Sequence, residues 1–159
     1  MPIFEDAQLA LTLYELRRES EMRKARAMVG ARIAGAPWEK VEKLLEYDHP
    51  ENAHLRQVAG YWEMAASFVN RGIFHPAVYL DTCGEGIFTL WAFRPHLERI
   101  RSAGRPRFLV ETEKLVTTVP ALHERLELID RSMAQRAAAE AARKAAKKAK
   151  KEEKKRKRA

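Results

Sequence analysis

Between Pro50 and Gly72 lies a pattern that leaves the chain little choice of fold class. At 3.6 residues per turn, Leu55, Val58, Ala59, Trp62, Ala65, Ala66 and Val69 fall within about 120° of arc, spaced alternately by three and four. That spacing predicts a helix with one apolar seam, and such a seam must be buried against other elements. Tyr61, Met64 and Phe68 lie on the adjacent flank, while Arg56, Glu63, Ser67 and Asn70 face away. Asp48 and Glu51 have capping-box spacing, Pro50 suits a first helical turn, and Gly72 supplies a left-handed stop. A helix to Arg71 is expected, with a bundle around it.

The same period recurs along the chain. Asp6 is the expected cap of a first helix in which Ala10, Leu11, Tyr14, Met22, Ala25, Val29 and Ile33 share one broad face. Leu9, Leu13 and Leu16 form a second stripe on the same helix, which should end between Gly30 and Gly35. Trp38, Val41, Leu44 and Leu45 mark a short helix after Pro37. His75-Pro76 opens one or two turns ending at Thr82, and Ile87 to Arg101 reads as a further helix. Pro95 lies inside it and should kink or break it, because proline removes a hydrogen bond and clashes with the preceding turn. Another helix should run from Pro106 to Thr117. A last one starts at Pro120, with Leu122, Leu126, Ile129 and Met133 as its seam. No segment shows the β-branched alternation of a strand. The expected fold is all-α, a compact bundle of five to seven helices with an extended basic C-terminal helix, and with Trp62 and Trp91 in the core.

Beyond Met133 the only apolar residue is Ala, so core contacts should stop there. This divides the chain into a helical domain, residues 1–133, and an Ala/Lys-rich tail, residues 134–159, expected to be partly helical or disordered. The charge divides in nearly the same place. Residues 131–159 hold 13 Lys/Arg and 3 Glu, a net +10, whereas residues 1–130 hold 17 Lys/Arg and 19 Asp/Glu, a net −2. The whole-chain value of +8 is therefore a property of the tail. The N-terminal stretch lacks the basic start and apolar run of a targeting peptide, and no run approaches the roughly 18 apolar residues of a membrane span. One cysteine, Cys83, rules out an intramolecular disulfide. A reducing, cytoplasmic setting is expected.

Few residues invite a chemical reading. Of five histidines, His49 and His75 each precede a proline at a helix start, where a polar residue commonly caps; no HExxH or CxxC accompanies them. Cys83, in Thr-Cys-Gly-Glu-Gly, would need a lowered pKa to act as a nucleophile; a small buried thiol beside a turn is the simpler expectation. Gly84-Glu85-Gly86 is too short for a phosphate loop. No catalytic, cofactor or metal residue is assigned. The tail, by contrast, has a plain physical use. Arg143, Lys144, Lys147, Lys148, Lys150, Lys151, Lys154, Lys155, Arg156, Lys157 and Arg158 can neutralise phosphates or an anionic surface. With no aromatic among them to stack on bases, contact should be nonspecific. The expected function is a noncatalytic interaction module with this tail as its contact. The alternative is a small enzyme or ligand-binding protein with a site near Tyr14, Arg18, Tyr61, Glu63 and Cys83. A homo-oligomer paired through Leu9, Leu13 and Leu16 is a further possibility.

Three segments carry a resemblance: LYELRRESEMRKAR (13–26), DHPENAHLRQVAGYWEM (48–64) and NRGIFHPAVYLDTCGEGIF (70–88). Together they resemble a family of small bacterial helical proteins, a domain of unknown function. It is ordered as a Tyr-Glu-Leu-Arg-Arg helix, a Tyr-Trp-Glu-Met helix and a Gly–apolar–His-Pro step. The resemblance covers roughly residues 3–133 and excludes the tail. It implies a helical fold and carries over no catalytic residue.

Overall fold

Why the helix Asn52–Asn70 organises the domain is visible in what surrounds it. A computed structural model describes the backbone of residues 1–156 and the side chains of residues 1–148 and 150. The helices are α1 Phe4–Arg18, α2 Ser20–Met28, α3 Trp38–Leu45, α4 Asn52–Asn70, α5 Pro76–Thr82, α6 Gly84–Phe93, α7 Leu97–Ser102, α8 Val110–Thr118 and α9 Pro120–Arg156. A π-helical turn, Val29–Ile33, follows α2, and a 3-10 turn, Arg94–His96, joins α6 to α7. Among the described residues there is no strand. α4 packs against α2, α3, α6 and α8. Every member of its predicted seam is buried, from Leu55 to Val69, with Trp62 wholly so. Each large apolar side chain taken from water contributes about 1.5–3 kcal/mol, so this seam is the main cohesive element of the domain.

The chain divides into two units, residues 1–126 and 127–159. The first holds α1 to α8 and the opening turns of α9, where Leu122 and Leu126 are buried. The second is the remainder of α9, a helix through Arg156.

The bundle contains more helices than the five to seven expected, for two reasons. Pro95 breaks the predicted Ile87–Arg101 helix into α6, the 3-10 turn and α7. The second break, at Glu19, has no proline or glycine behind it. Glu19 takes an extended backbone (φ −56°, ψ 144°), and its carboxylate accepts the Met22 N–H at 3.0 Å, capping α2. This break resets the phase of α1. Leu13, from the second expected stripe, is buried, whereas Leu11 and Tyr14, from the broad face expected of a single continuous helix, are 64% and 48% exposed. Trp91 is also not a core residue; it is half-buried and stacks on Phe88, ring centroids 5.5 Å apart.

Helix starts follow the polar residues more often than the expected caps. Asp6 lies in the first turn of α1, not at its cap, and takes the Ile3 N–H at 2.8 Å. Its other oxygen takes the His75 N–H at 2.7 Å, tying α1 to the entry of α5. His75 itself caps α5, its Nδ1 accepting from Ala77 N–H. His49 receives the Glu51 N–H in the same way, so histidine rather than Asp48 orders the approach to α4. Gly86 allows α6 to close on its neighbours. A Cβ there would stand 2.5 Å from Tyr79 Oη and 2.8 Å from Trp62 Cε3.

Candidate functional site

The tail presents the most clearly ordered set of charges. Arg136, Arg143, Lys144, Lys147, Lys148 and Lys150 are all exposed on α9. At 100° per residue these six fall within about 160° of arc, spread along about 21 Å of helix. Ala138, Ala139, Ala141, Ala142, Ala145 and Ala146 occupy the remaining arc. The helix thus has a cationic side and an alanine side. Its one described ion pair in this stretch, Lys144 to Glu140 at 2.6 Å, is fully solvated and contributes little. Lys151, Lys154, Lys155 and Arg156 belong to the same helix by their backbone. Lys157 and Arg158 lie outside the described residues.

Of the residues grouped as an alternative site, the structure brings some together and separates others. The Tyr61 hydroxyl donates to the Leu13 carbonyl at 2.6 Å. Burial, and secondarily the neighbouring Cys83, pushes the Tyr61 phenol up to about 12. Cys83 is 2% exposed, and burial raises its thiol above the ordinary value, with Thr82 Oγ1 3.5 Å away. A thiol held protonated in this way is a poor nucleophile at neutral pH. Tyr79 is also buried, its phenol pushed up by desolvation and its hydroxyl without a hydrogen-bond partner among the described residues. Around this cluster the guanidinium groups have structural tasks. Arg26 forks onto Glu85, with Nε to Oε1 at 2.7 Å, and also donates to the Arg17 carbonyl at 3.1 Å. The hydrogen bonds that Arg26 donates to Glu85 raise the Arg26 pKa further. Arg17 donates to the Thr82 carbonyl at 3.0 Å. Arg17 and Arg18 both lie over the Tyr14 ring, at 5.1 and 5.6 Å from its centroid.

Glu63 belongs elsewhere. Two positions along α4 from Tyr61, it leaves the helix on the other side and accepts from the N–H groups of Glu111 and Thr112 and from Thr112 Oγ1, at 2.7, 3.1 and 3.0 Å. It caps α8 from outside, placing a carboxylate where the helix dipole favours one. No local pattern in the sequence signals this, since acceptor and helix are 48 residues apart. The same holds for the Arg26–Glu85 fork, 59 residues apart, and for the arginines gathered beside Glu63. Arg56, Arg105 and Arg107 line a groove of about 180 Å³ with Ala59, Gly60, Glu63, Phe108 and Leu109.

Among the described residues no three His, Cys, Asp or Glu side chains are placed to hold a metal ion. No helix among them is long and apolar enough to cross a membrane. No curated protein and no solved structure matches the chain. The family does match. The sequence model of the "Domain of unknown function (DUF4760)" covers residues 2–119, and the chain belongs to that family. The match ends before the basic tail.

Proposed function

We propose that this DUF4760 member is a noncatalytic interaction module that contacts nucleic acid, without reading its sequence, through the cationic side of α9. The carrying observation is the segregation of six exposed cations on one side of that helix. Spaced along a rod, they can follow a phosphate backbone while the alanines face away. No aromatic residue occurs in 134–159, so there is no platform for base stacking. The tail part of α9, beyond Met133, also lacks the apolar side that would lay it into a bilayer. A reducing, cytoplasmic setting fits the single buried cysteine. The ligand-site alternative has less support, because Tyr61 and Glu63 serve different faces of α4 and Cys83 is protonated and buried.

The test is anisotropy of a labelled duplex over a salt series, with the full chain and with Arg143, Lys144, Lys147, Lys148 and Lys150 all changed to Gln. Affinity should fall with salt at a log–log slope of about −0.9 per phosphate contacted. The five-fold variant should bind at least ten-fold more weakly, with the same thermal midpoint. Salt-independent binding, or equal binding by the variant, refutes the reading. Stronger capture by anionic vesicles than by duplex would reassign the partner to a membrane surface.

A second reading, self-association, rests on α1. Phe4, Leu11 and Tyr14 are 73%, 64% and 48% exposed and share one side of the helix. This replaces the Leu9–Leu13–Leu16 pairing, since Leu13 is used in the core. Light scattering at two concentrations would show a concentration-dependent mass that Leu11→Glu abolishes.

A further inference from the structure

The groove beside Glu63 carries three features that the fold by itself does not require. First, its cations have no acid partner among the described residues. Arg105 donates to the Leu45 carbonyl at 2.6 Å, and Arg56 lies over the Tyr47 ring at 5.5 Å from the centroid. Arg107 is exposed on the rim. Glu63, the one carboxylate among the described residues that line the groove, already accepts three hydrogen bonds at the start of α8. Burial, and then the nearby Arg56, makes the Arg105 guanidinium less basic than usual, as expected where two like charges face each other.

Second, Gly60 sits in the middle of α4 and lines the groove floor. No atom lies within 4 Å of where its Cβ would be, so packing does not demand a glycine there. In a helix interior glycine is destabilising relative to alanine, and here it leaves the space above α4 clear. Third, Leu109 is the only non-glycine residue with positive φ among those described (φ 51°, ψ 32°), and it forms part of the wall. A leucine held in the left-handed region stores strain, and such strain clusters at ligand sites.

The geometry points to this groove, between Arg56, Arg105, Arg107 and the bare backbone of Gly60, as a binding site for a small phosphate monoester. Guanidinium forks match phosphate oxygens, and three cations against a committed carboxylate suit a dianion. At about 180 Å³ the groove is smaller than a typical drug-sized site. Phe108 and the Gly60 floor offer a flat apolar seat for a small organic group beside the phosphate. The site does not depend on the tail and goes beyond the nucleic-acid reading.

The experiment is an amide NMR titration of the full chain with phenyl phosphate, in enough salt to suppress binding by the tail. Saturable shifts are expected at Gly60, Arg107 and Leu109. Arg56→Ala with Arg107→Ala, both at exposed positions, should weaken binding at least ten-fold with no change in thermal midpoint. Gly60→Leu fills the floor; it should weaken binding while raising the midpoint. Shifts confined to residues 134–159, or unchanged affinity in the double variant, overturn the site. Benzoate binding as tightly as phenyl phosphate overturns the assignment to a phosphate.

Discussion

α4 and α9 are both long helices, of 19 and 37 residues, and they are helical for different reasons. α4 carries a glycine in its interior and aromatic residues of middling helix propensity, yet burial on several sides holds it. In the tail part of α9 every residue from 134 to 148, and Lys150, is exposed, and the helix relies on the local propensity of alanine. Tertiary packing fixes one helix under any condition that keeps the domain folded. Local propensity leaves the other conditional, weakened by its own like charges four apart at Arg143 and Lys147 and strengthened when those charges are neutralised.

The hardest test of that contrast is Trp62→Ala. Emptying the wholly buried centre of α4 should cost about 3–5 kcal/mol in urea denaturation. A loss under about 1 kcal/mol would mean that α4 is not the anchor. Gly86→Ala should cost somewhat less, about 1–3 kcal/mol, because the new methyl overlaps Tyr79 and Trp62. Ala142→Gly with Ala145→Gly probes the other side. Each change weakens the tail helix by about 1 kcal/mol, visible as lost ellipticity at 222 nm. The thermal midpoint should stay fixed, and a drop in it would show that the tail is part of the core.

The smallest effect belongs to acid. Hydrogen bonds from the Ile3 and then the His75 N–H hold the Asp6 carboxyl below its ordinary pKa, against the opposing effect of desolvation. Its folded pKa is therefore the lower one. The stability it contributes is present above the unfolded value of about 3.9 and is lost as pH falls through the folded value. Asp6→Asn should flatten the acid limb of a stability–pH curve below about pH 4. An unchanged limb would remove Asp6 as a fastening.

Much of the body is legible in sequence where one strong pattern decides the outcome. The α4 seam, the break at Pro95 and the histidine cap of α5 each follow from a residue type acting within a few positions. The break at Glu19 is not legible, because glutamate is an ordinary helix former and caps here only through one hydrogen bond to Met22. A helix running unbroken through Glu19 would put Leu11 and Tyr14 on the same face as the buried Met22 and Ala25. Leu109 is illegible for a related reason: leucine does not advertise a left-handed backbone. The tail cations can be counted in the sequence, and their confinement to one side follows once the helix is granted. Arg56, Arg105 and Arg107 meet only through folding, since a separation of about fifty residues carries no periodic signal.

The cap at Glu19 has a consequence for motion. α1 buries only Asp6 and Leu13, and its other fastenings are polar: Asp6 to the His75 N–H, the Leu13 carbonyl to Tyr61, Arg17 to the Thr82 carbonyl. Water can replace each of these, whereas nothing in water replaces the apolar seam of α4. α1 is therefore the segment expected to open first, about Glu19, while the rest stays folded. Its amides should exchange with deuterium well before those of α4, on the side of the molecule that carries Phe4, Leu11 and Tyr14.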